Sequence, residues 1–159
     1  MFGFRKKITV RQFWGPRLEG MFSGKNEPGW DYLKQSFEDP ALSAVESKVF
    51  YAHVQAMTIE IVSIAITKSC SMDTSTASRV FVGKFLRDNH HEDVSRLEGQ
   101  YNSAFGSSAT DGIRKVVEYF SASVSDSTLK SETINGIYST LYQLLASIFS
   151  MLKEIKLTP

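Results

Sequence analysis

The chain has 159 residues, of which 42% are hydrophobic, 12% aromatic and 22% charged. That is the balance of one folded domain, and it excludes a disordered or fibrous chain. Eighteen Lys and Arg stand against seventeen Asp and Glu, so no global field advertises a polyanionic partner, and the lone Cys70 excludes an internal disulfide framework or multi-thiolate metal site.

Residues 1–25 read as a basic aromatic N-terminal arm. Arg5, Lys6, Lys7, Arg11 and Arg17 all precede the first acid, Glu19, and Phe2, Phe4, Phe13, Trp14 and Phe22 are interleaved with them. The basic start is followed by no apolar stretch of the kind a secretory signal needs, so a cytoplasmic protein is expected. Basic residues with Phe and Trp suit an anionic membrane surface, or the rings can dock on the protein itself or on a second copy. Docking is the expectation. Residues 8–24 should fold back as short helical turns around a Gly15-Pro16 corner, leaving Arg5, Lys6 and Lys7 in solvent. Phe13, Trp14, Arg17 and Phe22 are the candidate partner or membrane contacts.

Residues 26–159 read as a single α-helical domain. The prolines at 16, 28, 40 and 159 leave Ala41 to Thr158 free of the strongest helix breaker, and no sustained period-two alternation occurs there. A short helix over Gly29 to Phe37 carries Trp30, Leu33 and Phe37. Asp39-Pro40 then opens a long helix of about 40–70. Its stripe (Leu42, Val45, Val49, Ala52, Ala56, Ile59, Ser63, Ile66, Cys70) steps by threes and fours, as in a heptad pattern. Phe50, Val54, Met57, Ile61 and Ile64 widen it, so the helix should lie centrally. Its most apolar window, Val54 to Ile66, is too short to span a bilayer.

Three shorter helices follow. The first, Thr74 to Asp88, is capped by Asp73, with Ala77, Val80, Phe81, Phe85 and Leu86 inward. The second, His90 to Phe105, turns Val94, Leu97, Tyr101 and Phe105 inward. The third, Ala109 to Val124, turns Ile113, Val116, Val117, Phe120 and Val124 inward. Gly106-Ser107-Ser108 and Ser125-Asp126-Ser127 are the breaks. A second long helix of about 126–156 carries Ile134, Tyr138, Leu141, Leu145, Ile148, Leu152 and Ile155. The expected fold is all-α: a single bundle of five to seven helices with two long antiparallel core helices.

Two polar groupings invite a chemical reading. In Asn89-His90-His91-Glu92-Asp93, adjacent side chains project about 100° apart, so few can converge on one ion. No glutamate has a histidine three residues on, as a di-iron bundle requires. The cluster is therefore expected to be a helix start, with Asn89 as cap and Glu92 closing a capping box. Glu46, His53, Glu60 and Thr67 recur at sevens along the first long helix. A solvent strip, or a stripe fixing helix register, is expected there; a buried polar site meeting His90 and His91 is the alternative. His53, Glu60, His90 and His91 are thus the metal-ligand candidates of that alternative, and no cofactor is expected.

Enzyme chemistry has little support. Cys70 ends an apolar stripe, and no nucleophile elbow, phosphate loop, dinucleotide glycine pattern or H-E-x-x-H occurs. Sequence-specific nucleic-acid binding is disfavoured, since Glu92, Asp93 and Glu98 would meet phosphates against a single Arg96. The expected function is a non-enzymatic interaction or structural bundle, acting as a homo-oligomer through an apolar helix face, with a further protein partner possible in principle. The alternatives are a metal- or small-ligand-binding bundle and a peripheral membrane protein using the arm.

Overall fold

The computed structural model describes residues 5–106 and 109–159. The elements run β1 (Lys6–Thr9), α1 (Val10–Met21), α2 (Glu27–Ser36), α3 (Pro40–Ser43), α4 (Ser47–Ser69), α5 (Met72–Asp88), α6 (Glu92–Phe105), α7 (Ala109–Ser123), α8 (Ser131–Glu154) and β2 (Ile155–Thr158). The fold is an all-α helical bundle. Among the described residues there are eight helices rather than five to seven, because α1 is a full helix and the Asp39-Pro40 segment makes a helix of its own. Phe2, Phe4, Ser107 and Ser108 lie outside the described residues.

The beginning of the chain is built into the bundle. Thr9 and Gln12 form a reciprocal capping box, in which Thr9 Oγ1 accepts from the Gln12 amide at 3.2 Å and Gln12 Oε1 accepts from the Thr9 amide at 2.8 Å. From that cap α1 runs straight through Gly15 and Pro16. The expected corner is absent: Pro16 has no N–H to give the Gln12 carbonyl, yet the helix continues past it. Phe13, Trp14 and Leu18 are buried in the core, and Trp14 Nε1 donates to the buried Ser78 Oγ of α5 at 2.7 Å. Ahead of α1, β1 pairs in parallel with β2, Lys6 opposite Ile155 and Ile8 opposite Leu157. These strands were not expected: four residues are too few for alternation to register, and the partners stand at opposite ends of the chain. Arg5, Lys6 and Lys7 are exposed.

Two buried charged residues set the helix boundaries that local pattern misses. Lys34 of α2 reaches inward, and its Nζ donates to the Val45 carbonyl at 2.5 Å. A continuous helix from Pro40 would need that carbonyl for the amide four residues on. The chain is instead extended at Glu46, and α4 begins at Ser47. Asp39 caps α3, as its sequence position implies, by accepting from the Ala41 and Leu42 amides. Its other oxygen accepts from the Lys130 amide and from Thr133 Oγ1, both at 2.7 Å. The start of α8 is thus capped from across the fold, at Lys130–Ser131 rather than near Asp126. Burial pushes the Asp39 carboxyl up, but those hydrogen bonds outweigh it and hold the group below its ordinary range.

Around α4 pack α5, α6 and α8, with α7 bridging α6 and α8. Its residues from Ile59 to Ile66 are all buried. By length and composition Ser47–Ser69 could cross a membrane, longer than the thirteen-residue sequence window; here 72% of its most apolar part is covered by the bundle. Two expected core residues face outward, Val49 on α4 and Val80 on α5. Ser71, not Asp73, caps α5. Asn89 ends α5 instead of starting α6, its Nδ2 donating to the Phe85 carbonyl at 2.8 Å. His90 has a positive φ of 58°. Helix α6 therefore begins only at Glu92, without a side-chain cap.

Candidate functional site

The ridge of sevens has two exposed ends, Glu46 just ahead of α4 and Thr67 near its end, and a buried middle. His53 is 3% exposed and Glu60 is 0% exposed. The expected solvent strip is therefore absent at its centre, where α5 and α6 cover the ridge with polar side chains of their own. Glu60 Oε1 accepts from Asn102 Nδ2 at 2.9 Å. Arg79 of α5 donates from Nη1 to Glu60 Oε2 and to Glu98 Oε1, each at 3.3 Å. One guanidinium thus bridges two carboxylates from two other helices. Arg79 and Glu98 remain partly open to water, whereas Glu60 does not.

Burial dominates the titration of Glu60 and pushes its carboxyl up to about 7; Arg79 opposes that rise, and neighbouring Glu98 adds to it. Two turns earlier, His53 Nδ1 lies 2.6 Å from the Tyr101 hydroxyl of α6. Burial, assisted by the positive charge of Arg96, lowers the imidazole to about 4, and burial also raises the Tyr101 phenol, with Tyr119 contributing. Both groups are neutral near pH 7, so the phenol donates and the imidazole accepts. Phe120 of α7 meets the His53 ring edge-on, with centroids 5.5 Å apart.

The four metal-ligand candidates have separate partners. His53 is paired with Tyr101, and Glu60 with Arg79 and Asn102. His90 lies in solvent beside Glu92, 3.6 Å away. The His91 ring stacks on Phe22 with centroids 3.9 Å apart, and Phe85 lies beside both rings, 6.1 Å from His91 and 5.8 Å from Phe22. Burial holds the His91 imidazole below its ordinary range. Among the described residues, no group of three or more His, Cys, Asp and Glu side chains is placed to hold a metal ion.

The arm candidates are likewise spoken for. Phe13 and Trp14 are core. Arg17 lies over the Phe13 ring at 4.0 Å, donates to the Phe13 carbonyl at 2.6 Å, and reaches Met151 Sδ at 3.3 Å. Phe22 is half-buried in its stack with His91. Arg79 and Asn102, which complete the ridge, were missed by sequence reasoning. A glutamate amid the apolar residues 59–66 was the available signal, since a buried carboxylate calls for a cation or several donors.

Compared with protein-family models, with curated proteins and with solved structures, the chain matches none.

Proposed function

We propose that this chain is a non-catalytic, cytoplasmic helical module that acts by pairing with a second copy of itself through the outer flank of α8. The observation that carries the reading is a row along that helix, Tyr138, Tyr142, Leu145, Phe149 and Leu152. Its steps alternate four and three, the spacing by which one helix meets another. Leu145 and Leu152 are buried, Tyr138 and Phe149 are half-buried, and Tyr142 is 52% exposed. The Tyr138 and Tyr142 rings stack with centroids 6.3 Å apart. The row leans out of the core and presents aromatic surface that a symmetric twin would cover.

Burial of the titratable groups supports a non-catalytic role. The Glu60 carboxylate is enclosed by its own partners, and a substrate atom could approach it only past Arg79 and Glu98. The ridge therefore reads as a polar lock holding α4, α5 and α6 in register. Sedimentation equilibrium at micromolar concentration tests the pairing. A species of twice the 17.8 kDa chain mass is expected, reverting to monomer in Tyr142→Glu. A wild type that sediments only as monomer overturns the reading.

A further inference from the structure

On the flank of α8 away from Tyr142, helices α2, α4, α7 and α8 leave a cavity of about 90 Å³. Its floor is Phe50, Met57, Phe120, Ile137 and Leu141, all buried. Its rim includes Leu33, Phe37, Val54 and Leu144, all half-exposed, so the cavity is reachable from water. We propose that this cavity is a binding site for a small apolar molecule, the size of a short alkyl chain or a single ring at most.

Volume and chemistry together select that occupant. A single water needs only roughly 10–15 Å³ of such space, but it also needs two to four polar partners. The cavity's lining side chains offer only two hydroxyl oxygens, which can accept but have no free proton to donate. The hydroxyls on its wall belong to Thr58 and Thr140, and both donate to their own helices, to the Val54 carbonyl at 2.8 Å and the Gly136 carbonyl at 2.9 Å. Water inside could replace only part of its hydrogen bonds, by donating to those two oxygens, whereas an alkyl group gives up nothing and gains contact with the rings of Phe37, Phe50 and Phe120. A dry apolar cavity of roughly 150 Å³ is known to take up benzene, so a smaller one suits xenon or a short alkane first.

The wall that admits the molecule is α2. Its one fully buried residue is Lys34, the anchor to Val45, while Trp30, Asp31 and Leu33 are partly buried. At its end Phe37 lies directly on Gly136 of α8: a Cβ added at Gly136 would stand 2.5 Å from Phe37 Cε1. Glycine at this position lets the Phe37 ring sit against the α8 backbone and form one side of the mouth.

Methyl-detected NMR titration of the full chain with xenon and with n-pentane tests the site. Saturable shifts are expected at the methyls of Leu33, Val54, Leu141 and Leu144. Thr140→Leu, at an exposed rim position, fills the mouth and should weaken binding by at least about tenfold, as should Val54→Phe. Met72→Ala, exposed on α5 and away from the cavity, should leave it unchanged. Absence of saturable shifts with both probes overturns the proposal. So does undiminished binding in both filled variants.

Discussion

Glu60 and His53 place a carboxyl and an imidazole in the interior of α4, while Tyr138, Tyr142 and Phe149 place aromatic surface on the outside of α8. Each helix carries one face of the unexpected kind, and the two are resolved differently. On α4 the neighbouring helices bring matching groups, Arg79, Asn102 and Tyr101, and among the described residues no buried polar side-chain atom lacks a partner. On α8, Tyr142 is left 52% exposed among the described residues. The heptad spacing of both helices is the same sequence signal. What separates them is the complement supplied by other elements, so burial is a property of the pair of surfaces rather than of one helix.

The strongest way to break this comparison is to withdraw the complement on α4. Arg79→Met leaves the Glu60 carboxylate enclosed without its cation. Removing one partner from a buried ion pair costs about 3–5 kcal/mol. With Arg79 partly exposed, roughly 2–4 kcal/mol is expected from urea unfolding at pH 8. The loss should shrink towards pH 5, where Glu60 takes up a proton and the charge disappears. An equal loss at both pH values would show that the carboxylate carries no charge in the folded protein, and the interior would then be less polar than described.

A second experiment separates the two ridge stations by their opposite titrations. His53 is lowered from 6.5 to about 4, so its contribution to stability is present above 6.5 and is lost as pH falls towards 4. Glu60 is raised from 4.5 to about 7, so the folded state is favoured by acid and loses that advantage as pH rises from 4.5 to 7. The two slopes oppose each other in the wild type. In Glu60→Gln, stability should drop as pH falls through this window; in His53→Gln it should rise. Each change approaches up to about 3 kcal/mol. Asp39, held below its ordinary 3.8, enters only at more acid pH. Parallel pH profiles in the two variants would contradict the assignment.

Much of the fold was legible because it is written locally. Absence of proline from Ala41 to Thr158 and the three–four spacing announce α4 to α8, and the sevens of Glu46, His53, Glu60 and Thr67 announce a ridge. The depth of that ridge was not legible, since Arg79, Glu98, Asn102 and Tyr101 lie on other helices and their approach to α4 is a tertiary fact. The same holds for the two boundary errors. Nothing near Val45 indicates that Lys34 will take its carbonyl, and nothing near Ser131 indicates that Asp39 will cap it. The arm was misjudged in form for a related reason. Gly15-Pro16 reads as a break, and the Thr9–Gln12 capping box that starts α1 was not read from the sequence; Phe13, Trp14 and Leu18 hold the helix against the bundle.

The smallest expected effect lies on the outer flank of α8 and sharpens the comparison most directly. Tyr142→Ala removes a ring that is half in water and stacks on Tyr138, itself half-buried. Stacked aromatic pairs contribute about 0.5–1.5 kcal/mol beyond their burial when enclosed, and solvent on one side reduces that gain. Alanine also has the better helix propensity, by a few tenths of a kcal/mol at an exposed site. The two terms nearly offset each other, so the unfolding free energy of the monomer, measured at a concentration low enough to prevent pairing, should change by less than about 0.5 kcal/mol. At higher concentration the variant should lose the stabilisation that association lends the wild type, because anything that binds only the folded chain shifts unfolding by mass action. A concentration-independent loss above about 1.5 kcal/mol would mean that Tyr142 is held inside the monomer's own packing. In that case the outer flank of α8 would be core like the ridge of α4, and the contrast between the two helices would be gone.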